Sequence, residues 1–214
     1  MRTRQRILEA AGKVFDRHGF GEATISEIIE VAGVTKGAFY HHFKSSGPVA
    51  TKVKLAQAIL DSTLTNSGVI PTQNCKLQTW IDTGMVLSYR LSREPALRAA
   101  LHLAVHHTAR ETYGTPWPAW TQVTTSQLAE AREAGELLPH VDPVSVCRVL
   151  VGAWAGLAIL TSAIDGDLSA FEKESVRLYE LFLPALAVPS VIMHLDFAAD
   201  RGARIWAEHL DRKG

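Results

Sequence analysis

The chain has 214 residues, of which 47% are hydrophobic and 21% charged, and its formal net charge is zero at pH 7. This length and apolar content suffice for a buried core and exclude an intrinsically disordered chain, while two cysteines exclude a disulfide scaffold. The charge is uneven, because residues 1–54 carry nine basic and five acidic side chains, a balance of +4. A basic N-terminal segment followed by an acidic C-terminal part predicts a protein whose N-terminal region contacts phosphates.

The sequence shows no N-terminal apolar leader and no apolar run of about 18 residues, the length that a spanning helix needs. We therefore expect a cytoplasmic protein with no membrane partner. Its two cysteines, Cys75 and Cys147, are expected to be incidental free thiols.

Residues 4–19 are predicted to form an amphipathic helix. Its apolar residues recur at the spacing of one helical face, at Ile7, Leu8, Ala11, Val14 and Phe15. Residues 24–45 then have the features of a helix-turn-helix, in which the second helix enters the major groove of DNA. Three helices within the first 45 residues predict a DNA-binding regulator.

Capping and turn residues are predicted at each boundary between these helices. Thr24 and Glu27 are predicted to form a capping box, in which the hydroxyl accepts from the Glu27 amide and the carboxylate reaches back to the Thr24 amide. Gly33 can adopt a positive φ without a Cβ penalty, so the chain can reverse there. Thr35 is predicted to cap the next helix.

The helix after Thr35 is predicted to recognise DNA. Its small first turn lets the backbone approach DNA, and Lys36 with the helix N-terminus attracts phosphate, while Phe39 and Phe43 face the core. The predicted DNA contacts are Arg4, Thr24, Thr35, Lys36, Gly37, Ala38, Tyr40, His41 and Lys44. The structural alternative is a plain helical hairpin without a partner.

Residues 4–45 closely resemble the TetR family of bacterial repressors, through F-D-R-H-G-F, A-T-I-S-E-I, A-G-V-T-K-G-A-F-Y and H-H-F. Residues 116–120, 133–140, 183–191 and 200–204 resemble the γ-butyrolactone autoregulator receptors of that family. The resemblance implies an all-α fold. It places a three-helix DNA-binding domain at residues 1–46 and a helical bundle for ligand binding and dimerisation at residues 47–214.

The sequence departs from the family after Ser45. Most relatives carry a phosphate-binding lysine where this chain has Ser46, followed by Gly47 and Pro48. Lys44 and Lys52 are the candidates to replace that contact.

The remainder is predicted to be helical. The expected helices cover residues 48–66, 77–91, 94–110, 120–134, 143–164 and 169–187, and one or two more lie within 191–210. Residues 67–74 are predicted to be a loop, Asp142 is predicted to cap the helix that begins at Pro143, and strand content is expected to be near zero.

Two late helices carry apolar stripes that could be ordinary core or an interface. The resemblance implies a four-helix interface of a homodimer. Its predicted residues are Val149, Ala153, Phe171, Leu178 and Phe182. A dimer is also expected because one helix-turn-helix offers few contacts, whereas a two-fold dimer binds two half-sites.

Five tryptophans suggest a pocket for a largely apolar small molecule with a polar head. The resemblance matches Trp120 to the tryptophan that covers the lactone in the autoregulator receptors. The predicted lining residues are Met85, Tyr89, Trp120, Thr124, Trp154 and Thr161. The structural alternative is that these residues are core. Ala158 stands where some relatives have Gln, so the ligand could differ.

No motif for catalysis or cofactor binding is recognisable. His102, His106 and His107 lack a supporting carboxylate, so we expect neither a metal nor any other cofactor, and no enzyme. The sequence predicts a repressor that binds a pseudo-palindromic operator in double-stranded DNA and is released by a small-molecule inducer such as a γ-butyrolactone. The alternatives are a pseudo-receptor that answers to another metabolite or to none, and an enzyme or carrier.

Overall fold

The computed structural model describes residues 2–62, 69–106 and 108–212. Within these ranges the chain is helical, with a single isolated antiparallel bridge between Leu137 and Ala187. The helices are α1 (Arg2–Glu22), α2 (Ile25–Ala32), α3 (Lys36–Phe43), α4 (Pro48–Ser62), α5 (Lys76–Leu91), α6 (Pro95–Val105), α7 (Ala109–Thr112), α8 (Trp117–Glu133), α9 (Pro143–Asp165), α10 (Phe171–Leu186), α11 (Pro189–Ile192) and α12 (Arg201–Asp211). The predicted all-α fold is confirmed.

The backbone contacts divide the chain into two compact units. The first comprises the described parts of residues 1–65 and 94–117, and the second those of 66–93 and 118–214. The predicted boundary after residue 46 concerns a division of function and stays a prediction. The packing boundary differs from it because α4 and α6 both pack against α1.

In the first unit, α1 buries the predicted apolar face, including Ile7, Val14 and Phe15. The helix kinks at Gly19, whose φ of 71° suits a glycine, and continues to Glu22. α6 crosses α1 so closely that a Cβ at Gly12 would lie 2.6 Å from the Cα of Ala96. Gly12 therefore sets the distance between these two helices.

The helix predicted over residues 94–110 ends instead at Val105, and α7 follows separately. Two aromatic side chains satisfy carbonyls in its last turn. The Tyr113 hydroxyl donates to the Leu103 carbonyl at 3.0 Å, and the Trp117 indole N–H donates to the Ala104 carbonyl at 3.1 Å. Because these donors come from outside the helix, the periodicity of α6 alone does not reveal its end.

The second unit is built around α5, which packs against α10 and α12. Leu77, Ile81, Met85 and Leu128 are fully buried in its core. A Cβ at Gly202 of α12 would lie 2.2 Å from the Met85 carbonyl oxygen, so only glycine permits this approach.

Glu136 caps α5 from a distant part of the chain. One carboxylate oxygen accepts from the Lys76 amide at 2.9 Å and the other from the Leu77 amide at 2.6 Å. A negative charge at a helix N-terminus satisfies free amides and opposes the helix dipole. Glu136 therefore fixes where α5 begins.

The other helix bounds agree with the predicted ones to within a few residues. Asp142 caps α9 as predicted, because its Oδ2 accepts from the Ser145 amide at 2.9 Å. α8 begins at Trp117, three residues before the predicted start. The end of the predicted helix 48–66 and the first two residues of the predicted loop 67–74 lie outside the described residues.

Candidate DNA-binding surface and ligand site

The turn between α2 and α3 has the predicted geometry. The Thr24 hydroxyl accepts from the Glu27 amide at 3.2 Å, Gly33 is left-handed with φ 59°, and the Thr35 hydroxyl accepts from the Ala38 amide at 3.1 Å. The second half of the capping box is wrong. The Glu27 carboxylate instead lies 2.9 Å from Nε2 of His18, which ties α2 to the end of α1.

The predicted DNA-contact residues lie on α3 and at the helix ends around it. Most are exposed, whereas Ala38 and Tyr40 are half-buried, and the Tyr40 ring packs edge-on against Phe39 at 5.3 Å. A Cβ at Gly37 would meet only the Thr35 hydroxyl, at 4.0 Å. The first turn of α3 therefore presents open backbone beside the exposed Lys36.

Two arginines of α1 contact the helix-turn-helix, Arg6 at the turn and Arg4 at the end of α3. Arg6 donates through Nη2 to the carbonyls of Ala32 and Gly33, at 2.7 and 3.1 Å. The Arg4 guanidinium lies 5.5 Å from the centre of the Phe43 ring. Arg6 was not among the predicted site residues, because its partners are more than twenty-five positions away in sequence.

Lys52 does not serve as a replacement phosphate ligand. Its ammonium donates to the carbonyls of Phe20, Gly21 and Ala23, at 2.7, 2.8 and 2.9 Å. The same ammonium lies 5.0 Å from the centre of the Phe20 ring, and burial lowers the pKa of Lys52 while Glu22 acts in the opposite direction. Its three protons are thus already engaged at the C-terminal end of α1, just after the kink at Gly19.

Lys44 remains exposed, and its carbonyl accepts from the Lys54 ammonium at 2.8 Å. The Lys44 side chain is therefore the remaining candidate for the contact that the family makes at the position of Ser46.

Two of the predicted ligand residues share α8. Thr124 is buried and Trp120, one turn earlier, is half-buried. Residues four apart lie on one face of a helix, so Trp120 and Thr124 can contact the same small molecule.

Met85 and Tyr89 lie on the part of α5 that faces α12. Their backbone and Cβ atoms pack against Gly202, and the Arg93 guanidinium covers the Tyr89 ring at 3.9 Å. The Met85 side chain is fully buried in the cluster that also holds Leu128 of α8, so Met85 lies within the same core as the α8 helix.

Trp154 is engaged within the second unit. Its indole N–H donates to the Ser88 hydroxyl at 3.0 Å, and its ring packs edge-on against Phe171 at 5.2 Å. Thr161, two turns further along α9, is buried. The indole N–H of Trp154 is thus already used by the protein itself, and its place in the pocket lining stays a prediction.

Gln127 of α8 was missed by sequence reasoning. Its Nε2 donates to the Thr83 hydroxyl at 2.8 Å, while its Oε1 is buried without a hydrogen-bond partner in the described part of the chain. A single glutamine on an amphipathic helix gives no sequence signal of this kind.

The predicted dimer-interface residues fall into two groups. Phe171 and Leu178 are buried within their own unit, at 0% and 8% exposure, so in this protomer they pack in the core. Ala153 and Phe182 are half-buried, and Val149 is 59% exposed. Periodicity identified the apolar residues, but it could not separate those that face the core from those that face outward.

α9 is long and apolar enough to cross a membrane, with only 28% of its apolar window buried. A single helix of this kind does not indicate a membrane protein. Among residues 2–62, 69–106 and 108–212, no three His, Cys, Asp or Glu side chains cluster as metal ligands. His107, one of the histidines considered above, lies outside these ranges.

A capped helix-turn-helix joined to a helical unit is the structure of a DNA-binding transcriptional regulator. Residues 7–46 match the family of bacterial regulatory proteins described as the tetR family. The A-factor receptor protein of Streptomyces griseus is 31% identical over 195 residues, which cover 91% of this chain and 67% of that protein. This chain belongs to the TetR family.

Solved structures agree with this assignment. Full-length native TylP, a TetR regulator from Streptomyces fradiae, matches with a TM-score of 0.86 and 34% identity, over 97% of each chain. A γ-butyrolactone receptor described as ArpA-like matches with a TM-score of 0.70 and 25% identity, again over 97% of each chain. The chain is thus a TetR-family DNA-binding repressor related to the γ-butyrolactone receptors.

Proposed function

We propose that this chain is a cytoplasmic homodimeric repressor that binds a pseudo-palindromic operator and is released by a small molecule of the γ-butyrolactone class. The observation that carries the proposal is the recognition helix α3, which presents Lys36 and the bare backbone of Gly37 in the first turn after its Thr35 cap. The names of the relatives support the ligand class.

In the proposed complex, phosphate contacts position α3 and base contacts specify the sequence. The N-terminus of α3, Lys36 and Lys44 would neutralise phosphates, while Tyr40 and His41 would reach base edges. Arg4, Thr24, Thr35, Gly37 and Ala38 complete the proposed surface. Its positive charge suits a partner with a dense negative backbone.

The DNA contacts can be tested by footprinting the intergenic DNA beside the protein's own gene, followed by gel shifts across salt concentrations. Lys36→Ala should weaken binding to every sequence and reduce the salt slope by about 0.9, the loss of one phosphate contact. Lys173→Ala is the matched control, because Lys173 is also exposed but lies on α10. An unchanged slope in Lys36→Ala would remove α3 from the interface.

For the ligand, Trp120 and Thr124 of α8 are the proposed wall. Trp120 would contribute apolar area, and the Thr124 hydroxyl would hydrogen-bond a lactone oxygen. A ligand weakens DNA binding only if it prefers the released conformer, in which the two recognition helices no longer fit half-sites about 34–36 Å apart.

The wall can be tested with Trp120→Ala. This variant should still bind operator but should need well over tenfold more lactone for release, which corresponds to a loss of about 2–4 kcal/mol of contact. Trp206→Ala is the control, because Trp206 is also half-buried but stacks with Arg90 at 5.0 Å. Early melting with an unaltered response in Trp120→Ala would place the pocket elsewhere.

The outward faces of α9 and α10 are the proposed dimer interface. Val149 and Leu160 are 59% and 55% exposed on α9, and Leu181 is 78% exposed on α10. Between the two α9 residues lie Gly152 and Gly156, where an added Cβ would meet nothing within 4 Å in the protomer. Large apolar side chains around a shallow surface suit close packing of a second copy.

Leu160→Glu should convert the dimer to a monomer in sedimentation velocity, because it introduces two unpaired charges at a two-fold interface. Met193→Glu is the control, since Met193 is 77% exposed but lies outside α9 and α10. A Leu160→Glu protein that stays dimeric would place the interface on another surface.

A further inference from the structure

One buried polar atom of the second unit is unexplained by the protein alone. The Oε1 atom of Gln127 has no hydrogen-bond partner within the described residues, although it is buried. A buried acceptor without a donor destabilises the protein, so native structures rarely keep one without a reason.

The orientation of the Gln127 amide follows from its neighbours. The Thr83 hydroxyl donates its proton to the Thr79 carbonyl at 2.8 Å, so toward Gln127 it can only accept. The group that faces Thr83 at 2.8 Å must therefore be the Gln127 NH₂. The carbonyl oxygen of the amide consequently points away from Thr83.

Gln127 lies on the same helix as the two residues proposed above as the ligand wall. The close helix pairs of the second unit include α5 with α12 and α9 with α10, whereas α8 makes no extended backbone approach to another described helix. Long side chains such as Gln127 bridge α8 to its neighbours. Thr124 lies one turn before Gln127, and Trp120 two turns before it, on the same helix.

We propose that Gln127 Oε1 accepts a hydrogen bond from a hydroxyl group of the inducer, and that Gln127 thereby selects hydroxyl-bearing ligands over their ketone counterparts. The inference rests on the proposed function. A ketone at that position would bring two acceptor oxygens together, because Thr83 prevents the amide from turning its NH₂ group toward the ligand. A site built to bind a hydroxyl discriminates strongly against analogues that cannot donate.

The probes are two synthetic γ-butyrolactones with equal alkyl chains. One carries a hydroxyl and the other a ketone on the side-chain carbon attached to the ring. Their dissociation constants are measured by calorimetry on the full-length protein without DNA. The wild type should bind the hydroxyl compound about 10- to 100-fold more tightly, the range expected for one buried acceptor left unpaired.

Gln127→Met should bring the two affinities to within about twofold of each other, because methionine fills similar space without an acceptor. Thr83→Val should reduce the preference as well, because the amide can then rotate. Gln122→Met is the matched control, since Gln122 is exposed on the same helix and should keep the wild-type ratio. Thermal melting of each variant establishes that it is folded.

The outcomes separate this inference from the proposed function. Equal binding of both lactones by the wild type, or an unchanged ratio in Gln127→Met, would overturn the role of Gln127 and leave the ligand class intact. Binding of neither lactone by the folded wild type would overturn the ligand class and this inference together.

Discussion

Each unit holds a charged side chain that binds several groups, including groups distant in sequence, and the two differ in sign: Lys52 in the first unit and Asp82 in the second. In the first unit, Arg6 donates to the carbonyls of Ala32 and Gly33, and Lys52 donates to three carbonyls at the end of α1. In the second unit, anions bind donors: Glu136 caps α5, and Asp82 accepts two bonds from Arg201.

This difference has a functional meaning. Arg6 and Lys52 satisfy backbone carbonyls around the helix-turn-helix with positive charge, which suits a unit whose proposed partner is anionic. The second unit has no such constraint if its ligand is neutral. The comparison predicts that removing a carboxylate of the second unit and removing a cation of the first should damage different helices.

The largest effect is expected at Asp82. Its side chain is fully buried, and its two oxygens accept from Arg201 at 2.8 Å each and from Gln73 and Gln78 at 2.7 Å each. Asp82→Ala should lower the free energy of unfolding by about 3–5 kcal/mol, because Arg201 loses its buried partner and keeps, among the described residues, only Asp196 at 3.4 Å.

Hydrogen exchange should show early loss of protection in α5 and α12 of Asp82→Ala. Asp200→Ala is the control, because its carboxylate pairs with Arg204 at 3.2 Å but is 67% exposed. Equal losses in the two variants would contradict the importance of the buried pair.

A smaller effect is expected at Lys52. Lys52→Met keeps the aliphatic stem but removes the donor to three carbonyls, and we expect a loss of about 1–3 kcal/mol. Exchange should accelerate around Phe20 and Ala23 while α5 and α12 stay protected. Lys54→Met is matched, since Lys54 donates to one carbonyl and is exposed. Loss of protection in α5 and α12 of Lys52→Met would contradict the expectation that Lys52 stabilises only the first unit.

Removal of the Thr35 cap should lower the free energy of unfolding by less than Lys52→Met does. Thr35→Ala leaves the Ala38 amide without its acceptor and should destabilise the protein by about 1 kcal/mol, whereas Thr35→Ser should restore most of the loss. Chemical denaturation measures both variants. Since α3 would fray at its first turn, operator affinity should fall in the same order, and identical affinities would argue against a role for the cap in DNA binding.

The smallest effect is a pH dependence at Asp142. The Ser145 hydroxyl and amide lower the pKa of Asp142 below its usual value. The stabilisation is therefore present above the unfolded pKa and lost as the pH falls through the lower folded pKa. Melting temperatures of wild type and Asp142→Ala should converge below that range, while Asp142→Asn should keep a cap that does not titrate. A constant difference down to the most acidic pH would contradict this.

Local features of the fold could be predicted from the sequence. The caps at Thr24, Thr35 and Asp142 and the left-handed Gly33 depend on residues within four positions of one another. The half of the capping box that failed did so because a distant group, His18, competed for the Glu27 carboxylate.

Contacts between distant residues could not be predicted. Lys52 reads as a candidate phosphate ligand until its partners some thirty residues earlier are known, and Arg201 binds Asp82 across 119 positions. Likewise, Phe171 fits an interface stripe and a core stripe equally well by spacing, and its burial, with Trp154 against its ring, is visible only in the folded unit.

The glycines would let a genetic screen detect the quaternary structure. At Gly12 and Gly202 any larger residue collides with the chain's own backbone, so saturation mutagenesis should find both intolerant whatever the assembly. At Gly152 and Gly156 the isolated protomer has room. Intolerance at those two codons would therefore report a second molecule in the living cell, without any purified protein.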